Sequence, residues 1–169
     1  VHRDPARYIM NAGGYGSGKT ESSIKDREKK GLITPGGQTL FCAPTMPQLI
    51  ATLMKDFESD MPIDFIKHYS AKDNKFTLIN GHEYLYRSFD DPHKLRSLNL
   101  SDFVVVEGSG ASYATFTQLQ NRLRNSAATI LERDEQGNPI FEQDEEGNWT
   151  PRIKYDWRAG TIETNPDPG

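Results

Sequence analysis

The sequence predicts an α/β fold: a mostly parallel central sheet covered by helices, with an antiparallel acidic hairpin insertion. Three observations carry this. Short apolar segments alternate with helix-length amphipathic ones, the pattern of a helix-covered parallel sheet. The run FVVV at 103–106 is continuously apolar, as in a strand buried on both faces. Late in the chain, an acidic tract carrying two Gly-Asn turn signals interrupts that alternation.

The elements follow in order. RYIMNAG (7–13) reads as a strand running into glycines, and 19–31 as a helix with a charged solvated face and Gly31 as its stop. Residues 38–45 form a second strand ended by Pro44. Within 46–61, Leu49, Ile50, Leu53, Met54 and Phe57 fall at helical spacing and read as a core stripe. KFTLING and HEYLYRSF alternate around Asn80-Gly81, a hairpin signal. DFVVVEG (102–108) is the buried strand, and 113–125 reads as a polar-amphipathic helix. DEQGNP (134–139) and DEEGNW (144–149) repeat with a period of ten. They predict three short antiparallel strands near 127–133, 139–143 and 149–156; a disordered acidic loop is the alternative. A short strand and a Pro-rich exit close the chain at 159–169, where a domain boundary is expected.

With 169 residues the chain suffices for one domain with a core. No apolar run approaches the ~20 residues of a membrane helix, and the start lacks a signal-peptide pattern. Cys42 is the single cysteine, which excludes an internal disulfide and fits a reducing compartment. The net charge of −4 is uneven: residues 132–150 hold seven acids and one arginine, a local −6, which leaves +2 elsewhere. Overall acidity therefore does not argue against a nucleic-acid partner. The tract itself would repel a duplex, so it is expected to face away from DNA or toward a basic partner. His2, His68, His82 and His93 show no metal-ligand spacing, and no Ser-His-Asp arrangement stands out.

The chemistry concentrates in GGYGSGKT, residues 13–20. Gly13, Gly18, Lys19 and Thr20 match G-x-x-x-x-G-K-[ST], the phosphate-loop or Walker A pattern, between a predicted strand and a predicted helix. Backbone N–H groups at a helix N-terminus bind phosphate, and glycines let the backbone approach the anion. Gly13, Gly14, Tyr15, Gly16, Ser17, Gly18, Lys19 and Thr20 are thus the candidate nucleotide-binding residues, with Lys19 on the β- and γ-phosphates and Thr20 on Mg²⁺. The expected ligands are a nucleotide and Mg²⁺.

Hydrolysis needs an acid at the end of a second buried strand. Glu107 stands there, to act on the attacking water and to hold Mg²⁺ directly or through water; otherwise it caps the following helix. No second acid flanks it, since Val106 precedes and Gly108 follows. Asp102 lies at the other end of that strand. In DDPHKLRS (90–97), Lys94 and Arg96 either serve a phosphate, in this chain or a neighbouring subunit, or form a solvated basic turn. Arg122 and Arg124, two apart, would not share a helix face, so one is expected toward the site or a partner.

AGGYGSGKT, NGHEYLYRSFDDPHKLRSLNLSDFVVVEGSG, QLQNRLRN and ETNPDPG together resemble the ATPase domain of the large terminase subunit of tailed bacteriophages. The likeness covers most of the chain. It implies a phosphate-loop NTPase of the additional-strand type, with a strand between the phosphate-loop strand and the Glu107 strand. It implies one ATPase domain over 1–169, a hairpin insertion at about 127–157, and a nuclease domain that this chain does not include. Lys19, Glu107 and Arg96 would be catalytic, Arg96 as a finger on the next subunit's ATP, and Thr164-Asn165 the coupling motif. The family usually reads Asp-Glu-Ala where this chain has Val106-Glu107-Gly108, and often has arginine at Tyr15. The implied function is ATP hydrolysis driving double-stranded viral DNA into a procapsid, in the host-cell cytoplasm. The implied partners are DNA, other copies of the chain in a ring, a portal and a small terminase subunit, with no membrane. The other readings are a nucleotide-binding regulatory or structural module with little hydrolysis and, more weakly, a small-molecule kinase.

Overall fold

The computed structural model describes residues 8–14, 16–143, 145–156 and 158–164. In chain order the first elements are β1 (Tyr8–Ala12), α1 (Lys19–Ile33), β2 (Gln38–Ala43) and α2 (Met46–Leu49). A π-helical segment (Ile50–Met54) leads into α3 (Lys55–Asp60). Next come β3 (Ile66–Ser70), β4 (Lys75–Leu78), β5 (Glu83–Ser88), β6 (Asp102–Val105) and α4 (Tyr113–Gln120). The chain closes with β7 (Thr129–Leu131), β8 (Phe141–Gln143), β9 (Trp149–Pro151), β10 (Ile153–Asp156) and β11 (Ala159–Thr164).

Seven strands form the main sheet in the order β1-β11-β6-β2-β5-β4-β3. The first five are parallel, and β4 and β3 extend the sheet antiparallel. β11 lies between β1 and β6, the inserted strand that the family likeness implies. Alternation across the central strands builds two cores. Phe41, Tyr84, Tyr86 and Val104 face Ile24, Leu49, Leu53 and Phe57, while Leu40, Leu85, Phe103 and Val105 face Leu95 and Leu119. With both faces covered, Phe103, Val104, Val105 and Val106 are all buried, which explains the unbroken FVVV run.

Four elements differ from the sequence expectation. Gly31 does not stop α1; it lies inside the helix and gives way to Tyr84, whose hydroxyl a Cβ at 31 would strike. That hydroxyl is shared between the Arg27 and Glu28 carbonyls at 3.2 Å each. Ile50 is 46% exposed, one step round the helix from the buried line of Leu49, Leu53 and Phe57. The helix expected over 113–125 ends at Gln120, because Leu123 is drawn against Leu100 in a bridge and the Arg122 and Leu123 amides bond three residues back. The third strand of the acidic insertion is two strands: β9 pairs with β8, and β10 pairs with β7. Arg152 makes the switch. Its N–H donates to Ile140 O at 2.8 Å, its carbonyl accepts from Glu132 N at 2.9 Å, and its guanidinium lies 3.4 Å from both Glu132 and Glu142. Gly137 and Gly147 turn the two hairpins at φ 86° and 84°.

His82 is a core residue. One ring nitrogen lies 2.9 Å from the Thr34 carbonyl and the other 2.9 Å from the Thr39 hydroxyl, and burial lowers its pKa toward the neutral form. Among the described residues no helix is long and apolar enough to cross a membrane.

Glu28 sits half-buried on α1, and burial, then repulsion from Asp60, push its carboxyl from 4.5 to about 7. The folded chain therefore holds this proton where the unfolded chain has lost it, and stability falls as pH rises through that window. Glu28→Gln should stabilise the protein at pH 8 by about 1 kcal/mol, allowing for solvent screening, with no gain at pH 4. Urea unfolding at the two pH values checks this.

Candidate functional site

β1, β11 and β6 end side by side around a cleft of about 360 Å³ lined by the glycine-rich turn, the start of α1, Val106, Glu107, Glu163 and Thr164. Clefts at the carboxyl ends of parallel strands are where open α/β sheets bind ligands. Gly13 N donates to Thr164 O at 3.3 Å, which fastens the turn to β11. Gly16 and Gly18 take φ 70° and 74°, left-handed values that suit glycine. Gly18 is the N-cap of α1 and has no side chain to engage the first-turn amides. That turn is therefore suited to an anion.

Lys19 folds back under the loop, its ammonium 2.6 Å from Gly13 O, 2.9 Å from Gly14 O and 3.3 Å from Ser17 Oγ. Its charge organises the loop and faces the same cleft as Thr20. The Thr20 hydroxyl donates to Glu163 Oε2 at 2.8 Å. On the rim, Glu21 is held by Lys25 at 2.7 Å.

Glu107 follows β6 in a left-handed conformation, φ 53° and ψ 47°, with its side chain exposed to the cleft. Such a conformation costs of order 1–3 kcal/mol in a non-glycine residue. The next residue passes close to β11, where a Cβ on Gly108 would strike Ile162 Cγ2.

The sequence reading missed Glu163, which is 2% exposed. Its Oε2 accepts from Thr20, and its Oε1 is buried without a hydrogen-bond partner. The available signal was an acid immediately before Thr164-Asn165-Pro166. Thr164 also lines the cleft; Asn165 and Tyr15 lie outside the described residues.

The arginines lie elsewhere on the chain. Arg96 is exposed after the short turn Pro92–Leu95 and does not line this cleft; its carbonyl accepts from Arg122 Nη1 at 2.5 Å. Arg124 is exposed and Lys94 lies 3.5 Å from Asp90. Asp102, buried at the opposite end of β6, has Arg27 Nε at 3.5 Å.

No group of three or more His, Cys, Asp or Glu among the described residues forms an all-protein metal cage. Mg²⁺ does not need one: it takes one or two protein oxygens, waters and substrate phosphates. Thr20, Glu107 and Glu163 offer hard oxygen donors to one cleft, and the unpartnered Glu163 Oε1 has capacity to spare.

Residues 5–153 match the sequence profile of the family described as phage terminase large subunit. The chain belongs to that family. Among proteins of curated function, none matches this sequence. The terminase chain is similar in structure to the large terminase of a thermophilic bacteriophage, with a TM-score of 0.68 at 10% identity, covering 96% of this chain and 34% of that one. An arginine-to-alanine variant of the large terminase ATPase domain of Thermus phage P74-26 gives a TM-score of 0.59 at 16% identity, over 98% of this chain and 62% of that one. The thermophilic phage terminase in complex with ADP gives 0.56 at 14% identity, over 94% and 32%. The chain thus spans about a third of the large terminase structure and under two thirds of the ATPase-domain structure. At these identities the likeness establishes the shared fold.

Proposed function

We propose that this terminase chain, as one ATPase domain, binds and hydrolyses ATP with Mg²⁺ to drive double-stranded viral DNA into a procapsid in the host cell. The observation that supports it most is the convergence of Lys19, Thr20, Glu107 and Glu163 on one cleft, at the start of a helix whose cap leaves amides for phosphate. In this reading the loop amides and Lys19 hold the phosphates, and Thr20 presents its hydroxyl oxygen to the metal. Glu107, on the opposite wall, orients water and accepts its proton. Bound Mg²⁺ would supply charge neutralisation between the phosphates. Thr164, fastened to Gly13, and Asn165 would pass the state of the terminal phosphate on to β11.

Arg96, exposed and outside its own cleft on a turn whose carbonyl Arg122 anchors, fits a role on a neighbouring copy's ATP in a ring. An arginine supplied across a subunit boundary adds about 10³-fold or more in related phosphoryl-transfer systems. The isolated chain should accordingly turn over slowly. The relative solved with ADP supports a nucleotide as ligand. Contacts with a portal and a small terminase subunit complete the proposed assembly.

The direct test is calorimetric titration of the 169-residue chain with ADP and Mg²⁺, repeated on Lys19→Ala. Saturable binding that falls at least tenfold in the variant is expected, in keeping with the loss of a charged phosphate contact. Equal affinity in both proteins would overturn the reading.

A further inference from the structure

We infer that Glu163 supplies, from β11, the metal-side acid that β6 lacks at Val106. The inference rests on the nucleotide reading above and assigns a residue to its Mg²⁺.

The sheet geometry makes the exchange possible. β11 and β6 pair in parallel with Ile162 opposite Val105. One step further along the same register, Glu163 comes beside Val106. Register partners on adjacent parallel strands point to the same face of the sheet, about 4.8 Å apart. An acid at 163 therefore reaches the space an acid at 106 would serve, displaced sideways by one strand. Both residues line the cleft with Thr20.

The hydrogen bonding specifies the task. When the Thr20 oxygen ligates a cation, its proton still needs an acceptor, and Glu163 Oε2 already accepts it at 2.8 Å. That bond turns the Thr20 lone pairs away from β11 and into the cleft. A partner behind a ligand fixes its orientation and raises its basicity. The second carboxylate oxygen, buried and unpartnered, is left to accept from a water on the cation. A buried carboxylate with one empty acceptor is costly unless something satisfies it. A hydrated divalent cation beside Thr20 does so through both its charge and its water protons. Glu107, exposed and held in a left-handed turn, is then free to act on the attacking water alone.

ADP binding should be measured by calorimetry with Mg²⁺ and with EDTA, on the wild-type chain, Glu163→Gln, and Glu163→Gln combined with Val106→Asp. Melting curves should accompany each protein, and Mn²⁺–ADP electron paramagnetic resonance should report the metal directly. The wild type should bind ADP at least tenfold tighter with Mg²⁺. Glu163→Gln should keep its EDTA affinity, lose most of the Mg²⁺ enhancement and change the Mn²⁺ spectrum; Val106→Asp should restore part of both. An undiminished enhancement in Glu163→Gln, or an equal loss in EDTA and Mg²⁺, would overturn the assignment while leaving nucleotide binding intact. A double variant no better than Glu163→Gln would overturn the exchange between strands. A wild-type chain that binds no ADP would overturn both this inference and the nucleotide reading.

Discussion

Glu107→Gln is expected to cut ATP hydrolysis by about 10²–10⁴-fold, the range for loss of a positioned general base. ADP and ATP affinity should change by no more than a few-fold. The expectation follows from the two walls of the cleft. In the proposed site Lys19, Thr20 and the α1 amides bind the phosphates, whereas Glu107 arrives on the turn after β6. Glutamine keeps the size of the side chain and tolerates the same backbone, so the proposed phosphate cradle is untouched while the proposed proton acceptor is lost. Phosphate release and nucleotide titration on the same preparation separate the two effects. Binding without any Glu107-dependent release would instead describe a nucleotide-binding module. If Arg96 acts between copies, Arg96→Ala should also be slow alone, and a mixture with Glu107→Gln should regain activity. In mixed neighbours, one chain contributes the intact acid and the other the intact arginine.

The largest stability effect is expected at Arg27. Its guanidinium, 2% exposed, meets Asp26 at 2.5 Å, the Thr161 hydroxyl at 2.6 Å and Asp102 at 3.5 Å. It thereby joins α1, β11 and β6 beneath the cleft. Arg27→Met would strand the buried Asp102 carboxylate and should cost about 3–5 kcal/mol, readable as a lower urea midpoint. Adding Asp102→Leu should recover much of the loss, because apolar residues of similar volume often replace a buried pair without penalty. A single variant as stable as wild type would show that the pair is not holding these elements together. ADP binding should weaken with Arg27→Met, since the helix that presents Lys19 and Thr20 loses its anchor to β11.

Local signals made much of this legible. The glycine-rich turn, the FVVV strand and the Asn80-Gly81 hairpin carry their reasons in adjacent residues, and each stands where the sequence places it. Partners far apart in sequence were not readable. Gly31 is inside α1 because of Tyr84, and α4 ends early because Leu123 finds Leu100. The edge strand β3, IKHYS, is mostly exposed and lacks apolar alternation, so no period marked it. Glu163 went unnoticed for a similar reason. Its meaning depends on Thr20 across the sheet and on the register that brings it beside Val106.

The pairing of Tyr8 with Gly160 joins nearly the two ends of the described chain. Loop-closure entropy must be overcome before such distant contacts gain anything, so this junction belongs to the slow, high-contact-order part of folding. During synthesis the glycine-rich turn leaves the ribosome well before β11, the strand that secures it. The helix and the β2–β5 region can assemble first, and the acidic hairpins follow. The cleft is therefore complete only after nearly the whole described chain has left the exit tunnel, because a chain still short of β11 lacks the Glu163 and Thr164 side of its lining.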